Sequence, residues 1–208
     1  AYHERLPKQV ATVKVADALA AIRRTGVAIN FATLVGHGSV RAAVMGSAQR
    51  APTGAELRRM EALVDQAMAE GALGLSTGLQ YVPGTYAATD EIVSLARIAA
   101  ARGGLYASHM RNEGTRIDEA VAEAIAVGEA ARCPVQISHL KIDSPRHWGA
   151  SGRVLATIED ARRRGIEVRA DQYAYTAGSS SLGIRFPSWA LEGGGERVRL
   201  ELSVAQED

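Results

Sequence analysis

Two segments of the chain, thirty residues apart, repeat one pattern: an apolar run, then Ser-His, then an apolar residue and a basic residue. They occupy positions 105–111 (LYASHMR) and 135–141 (VQISHLK), and the stretch between them, 118–132, has helical periodicity. A strand–helix–strand unit sets two parallel strands side by side with like ends at one edge. Because neighbouring strands are about 5 Å apart, the repeat predicts that His109 and His139 share one metal ion.

Strand-like and helical segments alternate along the chain, which predicts an α/β fold with a parallel sheet. An open doubly wound sheet and a (β/α)8 barrel both fit, although five units are too few to close a barrel of eight. The helix predicted over 55–70 follows Thr53, has Glu56 in the capping-box position and ends before Gly71. Further helices are predicted over 89–102, 118–132 and 154–164, and the strand-like runs begin at Asn30, Ala72, Leu105, Val135 and Val168.

The charge pattern and the single cysteine exclude several classes of protein. Basic and acidic residues number 24 and 23, and they are interspersed, so neither a nucleic-acid partner nor a membrane surface is expected. No apolar run reaches the roughly 18 residues that a membrane span needs. Cys133 is the one cysteine, which excludes a disulfide within the chain and favours a reducing, cytoplasmic location.

Several polar side chains are predicted at the carboxyl ends of the strands, beside the two histidines. Lys141 and Arg111 each lie two residues beyond one of them, where a cationic group holds a substrate carboxylate or extends into solvent. A structural role for His37 is favoured over that of a third ligand or a pocket donor. Asp171 fits a ligand, a base, a partner of a ligating imidazole or a loop-ordering carboxylate.

Two further residues have weaker claims to a catalytic role. Ser76 lies in a G-x-S-x-G sequence over 74–78, but a nucleophile elbow needs a helix directly after the strand, and a loop containing Pro83 follows here. A serine hydrolase with Ser76 as its nucleophile is the alternative from another enzyme class.

Cys133 lies at the opposite end of its strand from His139, about 20 Å away at roughly 3.3 Å per residue. This position favours a small buried residue over a metal ligand.

Five longer segments together resemble the D-aminoacylases, also called N-acyl-D-amino-acid deacylases, of the metal-dependent amidohydrolase superfamily. The resemblance implies a TIM-type (β/α)8 barrel, of which this chain supplies about strands three to seven. It also implies a zinc ion held by a cysteine and two histidines, and His109 and His139 fall on the two histidine positions. The segments that carry the resemblance are 30–41 (NFATLVGHGSVR), 72–86 (ALGLSTGLQYVPGTY), 106–114 (YASHMRNEG), 135–141 (VQISHLK) and 171–182 (DQYAYTAGSSSL).

The resemblance assigns further residues to the substrate pocket. Lys141, Tyr175 and Ser181 fall where the family grips the substrate carboxylate, and Tyr81 matches a pocket tyrosine near the metal. The family's His-x-His pair, its zinc-binding cysteine and its acid/base aspartate have no counterpart in this sequence. Neither Cys133 nor Asp171 replaces them, so no catalytic residue is predicted within the chain.

The expected function is zinc-dependent hydrolysis of the amide bond of N-acyl-D-amino acids, which releases a carboxylate and a D-amino acid. The alternatives are an N-acyl-D-glutamate or N-acyl-D-aspartate deacylase, a dipeptidase-like amidohydrolase, and a non-catalytic remnant. Because the chain lacks an initiator methionine, we expect an interior piece of a longer protein. Its predicted parts are a lead-in with a helix over 1–29, the central barrel over 30–192 and a truncated tail over 193–208.

An incomplete barrel exposes two strand edges and an apolar interior. We therefore expect the isolated chain to be inactive and to self-associate through those edges.

Overall fold

The computed structural model describes residues 14–191, and the predicted tail over 193–208 lies outside the described residues. Strands and helices alternate along most of that range, as the sequence pattern predicts, and two helices separate the first strand from the second. The strands are β1 (Val35–Gly36), β2 (Gly74–Gly78), β3 (Leu105–His109), β4 (Val135–Ile137) and β5 (Val168–Ala170). The helices are α1 (Val15–Thr25), α2 (His37–Met45), α3 (Gly54–Ala69), α4 (Thr89–Ala101), α5 (Ile117–Ala131) and α6 (Ser151–Arg163).

The five strands form one parallel sheet in the order β1-β2-β3-β4-β5. Each strand therefore lies next to the strand that follows it in the chain. A doubly wound sheet reverses its strand order at a switch point, whereas a barrel keeps the sequential order. The order decides between the two architectures that the sequence left open, and the sheet is a sector of a (β/α) barrel.

The two faces of the sheet differ in composition and burial. Leu75, Tyr106, Val135 and Val168 lie in register across four strands, and each is at most 1% exposed. Helices cover this face: α5 approaches β4 so closely that a Cβ at Gly128 would come within 2.0 Å of Val135 Cγ2. A side chain at that helical position would push α5 off the sheet.

The opposite face carries a row of small or polar residues: Ser76, Ala107, Gln136 and Arg169. This row has no large apolar side chain, in contrast to the exposed apolar interior predicted from the sequence. Exposed apolar side chains lie elsewhere, since Val27, Ile29, Phe31 and Leu73 are each more than half exposed. Self-association of the chain stays a prediction.

The first strand differs most from its sequence prediction. The apolar run beginning at Asn30 forms a strand only at Val35 and Gly36, the two residues that pair with β2. Helix α2 begins directly at His37, so this histidine starts a helix where the sequence predicted the end of a strand. The strands β3, β4 and β5 begin at the predicted residues.

A capping box begins α3, as the sequence predicts. The Thr53 hydroxyl accepts the Glu56 backbone N–H at 3.3 Å, and the Glu56 carboxylate accepts the Thr53 N–H at 2.7 Å. The Arg50 guanidinium also binds Glu56, and together these partners lower the pKa of the Glu56 carboxyl to about 2. The Glu56 carboxylate of the capping box therefore stays ionised well into acid.

We expect Thr53→Ala to lower the free energy of unfolding by about 1 kcal/mol, because the helix loses a side-chain acceptor at its N-terminus. Urea denaturation followed by circular dichroism measures the change. Thr157→Ala in α6 is the matched control, since its hydroxyl bonds only the Arg153 carbonyl one turn earlier. Equal stability of the two variants would contradict a stabilising cap.

Among residues 14–191, the helices lack the combination of length and apolar character that crossing a bilayer requires.

Candidate metal centre

The two repeated histidines meet at the carboxyl edge of the sheet. His109 is the last residue of β3, and His139 follows β4, the neighbouring strand. His109 Nδ1 lies 2.8 Å from His139 Nε2, and the ring centroids are 4.6 Å apart. The juxtaposition predicted from the sequence is confirmed, and it defines which nitrogen of each ring faces the other.

The state of these side chains fits a cation. Burial lowers the pKa of His109, and the nearby His139 and Lys141 lower it further against the opposing effect of Glu113. The neutral imidazole that results is the form that binds metals. One buried carboxylate oxygen in this cluster, Glu113 Oε1, has no hydrogen-bond partner among the described residues, and nearby positive charge is one way to compensate such a group.

Glu113 is a member of the site that sequence reasoning missed. One ligand atom each from His109, Glu113 and His139 lies within 4.8 Å of the others. Glu113 Oε1 is 2.8 Å from His139 Nδ1, without the direction of a hydrogen bond, and the residue is only 6% exposed. Its position in an irregular loop, four residues after His109, gave no periodic signal.

Lys141 lies against the same carboxylate. Its Nζ is 2.5 Å from Glu113 Oε2 and 3.2 Å from His139 Nδ1. The Tyr173 ring centroid is 5.6 Å from the ammonium group. The side chain is one quarter exposed, so solvent reaches part of this charged residue beside the histidines.

The predicted pocket residues are only partly brought together. The Tyr81 ring lies 4.9 Å from that of His109, and its hydroxyl bonds Ser180 Oγ at 3.0 Å. Tyr175 is 79% exposed and Ser181 is exposed. Tyr173 and Ser180 occupy the positions nearer the centre, and substrate roles for Tyr175 and Ser181 stay predictions.

Asp171 holds the backbone of His139. Its Oδ1 accepts the His139 backbone N–H at 2.7 Å, and its Oδ2 accepts a bond from Gln136 Nε2 at 2.6 Å. His139 has φ of 41°, a left-handed conformation that costs energy for a residue with a side chain. Of the roles that the sequence left open, the contacts support the loop-ordering carboxylate.

We expect Asp171→Ala to lower the free energy of unfolding by about 1–2 kcal/mol, since a hydrogen bond to a charged group is lost. Asp171→Asn keeps an acceptor for the His139 N–H and should retain most of the stability. Denaturant unfolding of both variants measures the difference. Wild-type stability in the alanine variant would mean that His139 holds its conformation without this carboxylate.

Arg111 is occupied by structural contacts. Its guanidinium pairs with Glu123 at 2.9 Å and donates to the carbonyls of Thr85 and Ala87 at 3.1 and 2.9 Å. It thus ties the loop that carries Tyr81 to α5. These contacts favour a role for Arg111 in anchoring this loop over a role in binding the substrate carboxylate.

His37 is part of a buried charged cluster apart from the histidine pair. It is 0% exposed, and its Nε2 lies 2.8 Å from Glu91 Oε1. Arg41 Nη1 donates to Glu91 Oε2 at 2.8 Å. The structural role favoured for His37 agrees with this environment.

The weaker candidates do not form catalytic groups. Ser76 lies in the middle of β2, which continues to Gly78, and its hydroxyl is 3.5 Å from the Val35 carbonyl. No helix follows that strand directly, so the nucleophile elbow is absent from this part of the described chain. Cys133 is a free, buried residue with 7% exposure, as predicted.

Comparison with known proteins connects this geometry to one family. The chain is 45% identical over 167 residues to a D-aminoacylase of Alcaligenes xylosoxydans xylosoxydans. It is also 45% identical over 154 residues to an N-acyl-D-glutamate deacylase of the same organism. These matches cover 80% and 74% of this chain. Over about four fifths of its length, the chain is therefore similar in sequence to the D-aminoacylases. No family model matches the sequence.

A solved structure extends the match to the fold. The N-acyl-D-glutamate deacylase of Bordetella bronchiseptica, in complex with zinc and a phosphonate inhibitor, superposes with a TM-score of 0.75 at 42% identity. The superposition covers 78% of this chain and 34% of that protein. The chain spans about a third of the length of the curated relatives it matches, and the five-stranded sheet is a sector of an amidohydrolase barrel.

Proposed function

We propose that this chain supplies one part of a zinc-dependent deacylase that hydrolyses the amide bond of N-acyl-D-amino acids. The observation that carries the proposal is the convergence of His109 Nδ1 and His139 Nε2 at adjacent strand ends, with Lys141 beside them. Relatives at 45% identity have this activity by name, and a solved relative contains zinc. A cytoplasmic location is part of the proposal and rests on the single cysteine.

In this proposal the two histidines would bind the metal and Lys141 would bind the substrate. His109 and His139 would hold zinc through the nitrogens that face each other. The chemistry that zinc would supply there is acidification of a water molecule and polarisation of the amide carbonyl. Lys141 Nζ would hold the carboxylate of the N-acyl-D-amino acid, which sets the distance from that carboxylate to the scissile bond. Tyr81 would close the pocket over His109.

The acid/base group is the part that these residues do not provide. Among residues 14–191, the carboxylates next to the histidines are Glu113 and Asp171. Glu113 is paired with Lys141, and both oxygens of Asp171 accept hydrogen bonds. We therefore propose that a residue not present in this sequence performs proton transfer to the leaving amine, and that the chain alone turns over little substrate.

A chimeric enzyme tests the proposal. The segment of the Alcaligenes D-aminoacylase that matches this chain over 167 residues would be replaced by this sequence. The chimera should release D-amino acid from N-acetyl-D-amino acids and leave the L-isomers intact. His139→Ala in the chimera is the control and should abolish the release.

A folded, zinc-loaded chimera that hydrolyses no N-acyl-D-amino acid would contradict the proposal. Comparing N-acetyl-D-glutamate, N-acetyl-D-aspartate and neutral N-acetyl-D-amino acids would show which deacylase type the chain supports. Circular dichroism and metal analysis of the chimera separate a failure of chemistry from a failure to fold.

A further inference from the structure

We propose that Glu113 is a positioning residue that allows the Lys141 ammonium group and a bound metal cation to occupy the same site. The inference rests on the proposed function, because it assigns a role within the zinc and carboxylate site. Neither the histidine repeat nor the resemblance to the deacylases assigns Glu113 a part. Its burial, its charge and its two contacts carry the argument.

The backbone around Glu113 is fixed on both sides. Asn112 Oδ1 accepts the N–H groups of Gly114 and Arg116, each at 2.9 Å, which orders the turn into α5. The Glu113 carbonyl accepts the Asp143 N–H at 2.7 Å. The loop after β3 is thereby tied to the loop after β4, so the carboxylate has a defined position relative to both histidines.

The Glu113 carboxylate contacts both Lys141 and His139, one with each oxygen. Oε2 is 2.5 Å from Lys141 Nζ, and Oε1 is 2.8 Å from His139 Nδ1. Lys141 has a flexible four-carbon stem, and the ion pair with a buried partner holds its nitrogen in one place. Without Glu113, the ammonium would stay within reach of His139, 3.2 Å from its Nδ1, but would be less ordered and would lack a counter-charge.

Charge balance gives the second part of the role. Two neutral imidazoles, a zinc ion and an ammonium group would place three positive charges in one half-buried cluster. Like charges at such distances repel strongly where water is partly excluded. The one negative charge of Glu113 offsets that of Lys141, so that the ammonium can stay near the metal without weakening its binding.

A double-mutant cycle on this chain separates this role from direct ligation. We expect Glu113→Gln to weaken zinc binding by about 10–100-fold, the range for groups that support metal ligands. Adding Lys141→Met to Glu113→Gln removes the uncompensated ammonium and should restore zinc affinity to within about 3-fold of wild type. Isothermal titration calorimetry with zinc gives all four dissociation constants.

The pattern of affinities decides between the alternatives. If Glu113 were a direct zinc ligand, the double variant would bind as weakly as Glu113→Gln, and the inference would be overturned. Unchanged zinc affinity in Glu113→Gln would also overturn it, because a purely structural carboxylate would alter stability alone. Denaturation of each variant shows that the affinities refer to folded protein.

A second readout needs no metal and therefore separates this inference from the proposed function. The chain has three lysines, Lys8, Lys14 and Lys141, so selective 15N labelling resolves the ammonium groups by NMR. In wild type, the Lys141 ammonium should be more ordered than that of exposed Lys14, and Glu113→Gln should remove the difference. Absence of zinc binding in wild type would contradict the proposed function, whereas equal order of Lys141 in both proteins would contradict positioning by Glu113.

Discussion

Glu91→Ala is expected to destabilise the chain by about 3–5 kcal/mol, the effect of removing one partner of a buried ion pair. Glu91 is 6% exposed, and its carboxylate contacts the fully buried Arg41 and His37, each at 2.8 Å. Without it, a guanidinium group remains buried with no counter-charge. Because domains are stable by only about 5–15 kcal/mol, this one change should remove a large part of the folding free energy. Urea denaturation at neutral pH measures it.

Two comparisons show whether the unpaired buried charge of Arg41 causes the loss of stability in Glu91→Ala. Asp90→Ala, at the neighbouring and exposed position of α4, should cost only about 0.3–1 kcal/mol through the helix dipole. Glu91→Leu combined with Arg41→Met removes both charges and should recover much of the lost stability, as apolar replacement of buried pairs often does. A loss below about 1 kcal/mol in Glu91→Ala would mean that Arg41 finds compensation from the carbonyls of Arg50 and Ala48.

The cluster also lies next to the loop that borders the metal centre. His37 begins α2, Glu91 lies in the first turn of α4, and a Cβ at Gly84 would be in ordinary van der Waals contact with His37 Nδ1, at 3.7 Å. Gly84 is in the loop that carries Tyr81 over His109. Loosening the cluster should therefore disturb the pocket as well as the fold.

Local signals predicted the central strands and the histidine pair. The runs at Leu105 and Val135 are apolar, short and followed by a clear helical period, so strand boundaries and neighbour relations follow from the sequence itself. The run at Asn30 was misjudged because pairing with β2 limits the strand to two residues. Periodicity describes which residues favour a strand, and it does not report where a partner strand is available.

Long-range polar contacts could not be predicted from the pattern. His37 and Glu91 are 54 residues apart in sequence, and Glu113 meets Lys141 across two loops that have no period. The same limit explains why Tyr173 rather than Tyr175 lies near His139. In an irregular loop, a shift of two residues changes which tyrosine faces the site, and composition alone does not reveal the shift.

Zinc binding by the chain should depend on both histidines of the repeat. Four-ligand zinc sites contribute about 10–16 kcal/mol, so each ligand accounts for about 2.5–4 kcal/mol if the contributions are equal. Two imidazoles then contribute about 5–8 kcal/mol, which corresponds to a dissociation constant of about 1–200 μM. His109→Ala or His139→Ala should each weaken binding by about 100-fold or more, because a single imidazole remains.

Calorimetric titration with zinc measures these constants, and His147→Ala is the matched control. His147 lies in the short turn Pro145–His147, outside the cluster of His109, Glu113 and His139, so its removal should leave the affinity unchanged. Retained binding in His139→Ala would place the metal elsewhere and would remove the basis for a shared site at the ends of β3 and β4. Loss of zinc binding in both His109→Ala and His139→Ala, with folding intact, would establish that the ends of β3 and β4 form one metal centre. In that case neither histidine alone has enough donor atoms to hold the ion.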